Sequence, residues 1–142
     1  MAVIQGTDSG YLLGVMGSHT ANAGRTYFPA GTLEPDDVVD GRVDFRASIE
    51  RELTEETGIA AAELSAEEGW WAVFAGIRIG IAKVLRANES AADLRERILR
   101  HLAKEAEPEL SDIRIVHGPE DLDASMPDHV IAFLDAMWRR AR

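Results

Sequence analysis

Along this chain the spacing of apolar residues switches between alternation and a three-to-four repeat, and the switches mark out its elements. Ala2 to Gln5 and Tyr11 to Met16 are short apolar runs around Gly6-Thr7-Asp8-Ser9-Gly10, the composition of two strands joined by a turn. Ser18 to Arg25 is a polar loop, and Tyr27-Phe28 ends a short strand ahead of Pro29. A helix is expected from near Asp44, a suitable N-cap, to Gly58, a suitable C-cap. Phe45, Ile49 and Leu53 recur every four residues and give that helix one buried stripe. From Trp70 to Leu85 the chain is apolar, with Ile77, Ile79 and Ile81 alternating with Arg78 and Gly80, as in a long strand or a hairpin crossing a sheet. Ala91 to Glu105 carries Leu94, Ile98, Leu99 and Leu102 at helical spacing, and Asp112 to Val116 is a strand with Ile113 and Ile115 on one face. Pro127 to Arg140 is a last amphipathic helix, with Val130, Phe133, Leu134, Met137 and Trp138 facing inward and Pro127 early in its first turn. Strands interleaved with helices predict an α/β domain with a mixed sheet and helices on both of its faces. No repeat, linker or low-complexity stretch divides the 142 residues, so residues 1–142 read as one domain.

Charge and composition narrow the chemistry. A formal net charge of -10 argues against a nucleic-acid surface, which usually shows a basic patch or stripe. With no cysteine there is no disulfide framework, thiolate zinc site or cysteine nucleophile. The start Met1-Ala2-Val3-Ile4-Gln5-Gly6 has neither a basic n-region nor a long apolar h-region, and no apolar stretch reaches the length of a membrane span. A cytoplasmic protein without nucleic-acid or membrane partners is the expectation.

The most informative stretch is Arg51-Glu52-Leu53-Thr54-Glu55-Glu56-Thr57-Gly58-Ile59, near the end of the expected helix. Residues three and four apart share a helix face, so Glu52 lies beside both Glu55 and Glu56. Like charges stacked this way destabilise a helix unless something cationic lies between them. Hard divalent cations want oxygen ligands and carry phosphate substrates with them. By this reading the carboxylates point away from the Phe45/Ile49/Leu53 stripe, so that one helix can pack and bind metal together.

The order Arg-Glu-apolar-x-Glu-Glu-x-Gly-apolar resembles the core of the Nudix box, and a chance match in a chain of this size is on the order of one in 10⁵ or rarer. Upstream, Pro29-Ala30-Gly31-Thr32-Leu33-Glu34-Pro35-Asp36-Asp37 resembles the opening loop of the box, with Gly31 on its Gly and Asp37 where the family has its first Glu. The chain departs from the pattern twice. Asp37 keeps the charge on an arm one methylene shorter, and the gap from Asp37 to Arg51 is six residues longer than the family spacing. The surplus is most simply Val38-Val39-Asp40-Gly41-Arg42-Val43, read as a lengthened loop before the helix with a turn at Asp40-Gly41.

The resemblance implies an α/β/α sandwich and hydrolysis of a nucleoside diphosphate linked to another group, by water attack at phosphorus with Mg²⁺ or Mn²⁺. It implies that Glu52, Glu55 and Glu56 bind metal, that Gly31 brings its backbone carbonyl to the metal, and that Glu52 is also the base or water-orienting group. Arg51 resembles the family Arg that pairs with box carboxylates; the alternative is a surface ion pair with Glu55, which is worth little. A further metal-binding acid in many relatives follows the box. Glu105, Glu107 and Glu109 are the candidates, and Glu109 looks like the acid that precedes the family's late strand, while Glu34 matches an acid in the family loop. The implied partner is a small nucleotide-derived diphosphate, and a homodimer is compatible with the resemblance.

Trp70 and Trp71 are adjacent and in a strand face opposite sides, one to the core and one free to stack on a base or cover an edge. His19 lies in the loop before Gly31, where an ordinary loop role outweighs a phosphate contact, and His101, His117 and His129 share no ligand spacing. Fold alone does not choose the substrate. Nucleoside triphosphates, ADP-ribose-like sugars, dinucleoside polyphosphates and coenzyme A all remain open. The rival reading is a Nudix-fold binding or regulatory module that recognises a nucleotide without cutting it.

Overall fold

The fold is taken from a computed structural model, which describes residues 1–142. Its mixed sheet is built around β1 (Ala2–Gln5), which runs antiparallel to β2 (Tyr11–Met16) and parallel to β8 (Arg78–Arg86). The second half of β2 pairs with the short β3 (Thr26–Tyr27), and β2 pairs along its length with β9 (Leu110–Val116). Beyond β8 lie β6 (Ser65–Ala66) and β7 (Trp71–Ala75), both antiparallel to it. The Trp70-to-Leu85 segment is therefore the hairpin alternative, turning at Gly76 and Ile77.

Because side chains alternate across a strand, β1 feeds two cores at once. Ala2 and Ile4 join Leu12 in a cluster covered by Ile49 and Leu53 of α1 (Phe45–Thr57) and by Leu94, Ile98 and Leu102 of α2 (Ala91–Leu102). Val3 points the other way, where Leu13, Phe28 and Val84 pack against Val130, Phe133, Leu134 and Met137 of α3 (Asp128–Arg140). Phe133 sits edge-on to both Phe28 and Trp71, with centroids 5.6 and 6.0 Å away. Helices on both faces of a mixed sheet make the expected α/β/α sandwich.

Several expectations shift. The helix read to Glu105 ends at Leu102, and the strand read from Asp112 begins at Leu110. Trp138 is only half-buried, as is Phe45, which packs on Trp70 instead of entering the core. The six-residue insertion is no irregular loop. It folds as a hairpin of β4 (Val38–Val39) and β5 (Arg42–Val43), pairing Val38 with Val43 and Val39 with Arg42. Asp40 and Gly41 both have φ above zero, at 51° and 76°. This conformation matches the right-handed twist of two strands joined by a two-residue turn, and Asp-Gly is a favoured sequence for it. All three valines of the hairpin are exposed.

The box helix has well-made ends. Asp44 caps it by accepting the N–H of Ala47 at 2.9 Å, and Gly58 ends it in the left-handed region at φ 71°, donating to the Thr54 carbonyl at 2.9 Å. A side chain at Gly58 would both strain the backbone and run into the His101 ring.

Candidate active site

The α1 helix presents its carboxylates in three environments. Glu55 is exposed, Glu52 is half-buried, and Glu56 is buried at 5% exposure, so the acids do not all face away from the packing stripe. Glu56 lies seven residues after Ile49 and three after Leu53, which puts it on the apolar stripe itself. Its Oε2 is buried without any hydrogen-bond partner. Burial and the neighbouring charges of Glu109 and Glu52 push its carboxyl up to about 8, partly offset by the backbone N–H of Ala30. Glu52 is also raised, first by burial and then by Glu55, with Arg51 acting in the opposite direction.

The acid expected just ahead of the late strand is near enough for its charge to reach the box acids. Glu109 stands one residue before β9, and its charge bears on both Glu52 and Glu56. Glu105 lies instead against His101, at 3.6 Å. No three His, Asp or Glu side chains converge tightly enough to form a finished ion cage. The donor set nonetheless suits a hard divalent cation: four carboxylates, of which Glu52 and Glu56 are raised by burial and by the charges of the others, Glu56 with an orphaned buried oxygen.

Gly31 and Arg51 frame this group. A Cβ on Gly31 would overlap the carboxylate of Glu52 and lie 2.9 Å from its Cγ, so any side chain there would have to displace Glu52. Arg51 does not pair with Glu55. Its guanidinium donates to Asp37 Oδ1 at 2.8 Å and stands 3.6 Å from Glu52 Oε1, tying the first acid of the box region to the helix. Asp37 is 2% exposed; its Oδ2 accepts the N–H of Glu34 at 2.8 Å. The Arg51 hydrogen bond, then the Glu34 N–H, holds its carboxyl below the usual range. The backbone N–H of Asp44 donates to the carbonyl of Asp37 at 2.7 Å, so the hairpin leaves and rejoins the chain at one point.

A cavity of about 350 Å³ opens beside Glu52 and Gly31. Apart from Glu52 it carries no charged side chain, and Leu33, Phe45, Ile79 and Ile81 give it apolar walls. Of the two tryptophans, Trp71 is half-buried against Phe133 and covered by Arg140, whereas Trp70 is exposed and packs between Phe45 and Lys83. His19 makes no hydrogen bond or ion pair and is exposed, in keeping with a loop role.

Solved proteins share this architecture along nearly the whole chain. A Nudix hydrolase from M. Smegmatis, RenU, aligns with a TM-score of 0.62 at 14% identity, over 99% of this chain and 81% of that one. The MutT protein from Methanosarcina mazei Go1 aligns with a TM-score of 0.55 at 19% identity, over 99% of this chain and 91% of that one. The E. coli ORF135 protein aligns with a TM-score of 0.51 at 19% identity, over 98% of this chain and 91% of that one. The chain has the Nudix hydrolase fold. No family model matches its sequence, and no curated protein does. No helix is long and apolar enough to cross a membrane.

Proposed function

We propose that this protein is a Nudix-type hydrolase that cleaves the diphosphate linkage of a nucleoside diphosphate joined to another group, using Mg²⁺ or Mn²⁺. The observation that carries this reading is Glu56, a buried carboxylate with an unpartnered oxygen among Glu52, Glu55 and Glu109. A buried charge without a partner is costly, and a divalent cation is the partner these four acids lack. Glu52, Glu55, Glu56 and Glu109 would hold it, with the carbonyl of Gly31. A divalent ion held there would spread the charge of the phosphoryl oxygens and would make a water easier to deprotonate.

Glu52 is the residue to accept the proton of the attacking water. It faces the cavity, it is half-buried, and burial and then the charge of Glu55 hold its carboxyl above the ordinary range, which favours taking up a proton. Arg51 has a positioning role: it is held by Asp37 and limits where the Glu52 carboxylate can lie. The apolar walls formed by Leu33, Phe45, Ile79 and Ile81 offer the nucleobase a surface without demanding particular hydrogen bonds.

The test is a panel of nucleotide-derived diphosphates incubated with Mg²⁺ or Mn²⁺, with products identified. Expected is a single cleavage within the diphosphate, abolished by chelator and by Glu56→Gln. Calorimetric binding of a panel compound with no product under either metal would favour the non-catalytic module.

A further inference from the structure

Beside the acids, two arginines and a histidine line one cleft. Arg25, Arg78 and His129 line a cavity of about 230 Å³ together with Asn22 and Tyr27. The same three residues continue into an adjoining opening of about 520 Å³ that includes Gly76 and Ile77 of the β7–β8 turn and Asp128. Such a cluster is unusual on a chain with 25 acidic and 15 basic residues. Arginines elsewhere, such as Arg86, Arg97 and Arg114, are held by carboxylates. Arg25 is in no ion pair and reaches only the Ala124 carbonyl, at 3.4 Å, and Arg78 has neither ion pair nor side-chain hydrogen bond. His129 is half-buried, and burial and then the charge of Arg78 hold its imidazolium below the ordinary range, with Asp128 opposing. Two guanidinium groups without ion pairs and an imidazole thus share one cleft, and Asp128, beside His129, is the one carboxylate on its outer opening.

This cleft opens onto the acid site. Ala30 and Met1 line both cavities. The His129 ring comes within 3.8 Å of the place a Cβ on Gly80 would occupy, and Gly80 lines the acid-side cavity. Tyr27 lines the cleft, and its hydroxyl feels the charges of Glu56 and Glu109 as well as that of Arg25. A molecule whose diphosphate lies at the acids would extend past Tyr27 into the cations.

We propose that the Arg25–Arg78–His129 cleft binds a phosphate monoester carried by the substrate, away from the diphosphate that is cut. The proposal rests on the reading above that the diphosphate sits at Glu52 and Glu56. A phosphate monoester carries about -1.5 to -2 charges near neutral pH and three acceptor oxygens. Two guanidinium forks and an imidazole match that charge and acceptor geometry better than they match a single carboxylate.

Two measurements test it. Inorganic phosphate is titrated into the metal-free protein while the His129 ring signals are followed by NMR. The signals should move, and Arg78→Ala should weaken the binding about tenfold, the scale of one lost charge-assisted hydrogen bond. Arg100→Ala, an exposed arginine on α2 outside the cleft, should leave it unchanged. An unmoved His129, or equal binding by Arg78→Ala, overturns the cleft as an anion site.

In the second, KM is compared for two dinucleotide diphosphates that differ only in one ribose phosphate monoester, with a nucleoside triphosphate beside them. The phosphorylated compound should have a KM about tenfold lower, and Arg25→Ala and Arg78→Ala should each erase that advantage with kcat little changed. Equal KM values for the pair would overturn the monoester and leave the hydrolase reading standing. Arginine dependence confined to the triphosphate would overturn it too, in favour of a terminal phosphate. Hydrolysis of none of the three would sink the proposed function, and the phosphate titration would then decide the cleft by itself.

Discussion

Asp37 and Asp44 are seven positions apart in sequence, yet the backbone N–H of Asp44 donates to the carbonyl of Asp37 at 2.7 Å. Everything between them is the hairpin of β4 and β5, whose valines are exposed. Removal of Val38 to Val43 therefore asks only that two residues already in contact become covalently adjacent. We expect the deletion variant to fold, with a melting temperature close to that of the parent, because a shorter loop slightly lowers the closure entropy. Circular dichroism melts check this. A molten or insoluble product would show that the hairpin supports the fold.

Asp37 does for Arg51 what a surface pair with Glu55 would not. It holds the guanidinium at 2.8 Å from a buried position while Glu52 waits at 3.6 Å. Asp37→Asn removes the charge that keeps Arg51 from Glu52, so the guanidinium should turn to Glu52 and compete with a cation for it. The expected outcome is a higher Mg²⁺ concentration for half-maximal activity, with activity largely restored at saturating metal. The stability effect follows from the lowered carboxyl of Asp37: its contribution is present above the unfolded carboxylate range and is lost as pH falls through the folded value. The variant should accordingly lose most stability, relative to the parent, near neutral pH and little in acid, as denaturant melts at both would show.

The three helices, the box and every strand but β6 and the β4–β5 hairpin were legible because periodicity and caps are local signals. Asp44 and Gly58 close α1 as their types demand. The hairpin also had a local signature, Asp40-Gly41 between β-branched pairs, which a two-residue turn explains better than an irregular loop. The burial of Glu56 was present in the spacing too, since positions 49, 53 and 56 share one stripe; its charge argued for the solvent face and was the misleading cue. The partner of Arg51 was harder, because Asp37 reaches it only once the inserted hairpin has been folded out of the way. Arg25, Arg78 and His129 come from a loop, the start of β8 and the first turn of α3, and nothing local links them.

Glu56 gives the metal-free protein a pH signature. Its carboxyl is pushed from the ordinary 4.5 up to about 8, so the folded state holds that proton more tightly than the unfolded chain. The stabilisation is fully present below about 4.5 and is lost as pH rises through about 8. Glu56→Gln keeps the shape and removes the titration, so without metal it should be more stable than the parent at pH 8 and differ little at pH 5. One pKa unit is about 1.4 kcal/mol, enough to move the melting temperature by roughly 3–5 °C in a chain of this size. Adding Mg²⁺ should raise the parent's melting temperature more at pH 8 than at pH 5.5, because protons compete for the same oxygens. The variant should respond weakly at both. Identical metal responses in parent and variant would remove Glu56 from the metal site.

Gly31 offers the sharpest separation of chemistry from folding. Its φ is not in the left-handed region, so alanine is acceptable to the backbone; the conflict is with the Glu52 side chain, whose Cγ would stand 2.9 Å from the new methyl. Glu52 is half-buried and faces a cavity, so it can yield by moving its carboxylate into that space without disturbing the core. Gly31→Ala should therefore melt within about 0.5 kcal/mol of the parent, as surface substitutions usually do. Turnover should respond differently, because a displacement of about 1 Å in a positioned catalytic group can cost on the order of 10²-fold. Steady-state kinetics on a hydrolysed panel compound should show kcat down by about that factor while KM changes little, the signature of an interaction used mainly in the transition state. Glu52→Gln should behave alike, and the double variant should be little worse than either alone, since both act through one carboxylate. Additive losses in the double variant would mean that Gly31 serves the reaction through its backbone, independently of where it lets Glu52 stand.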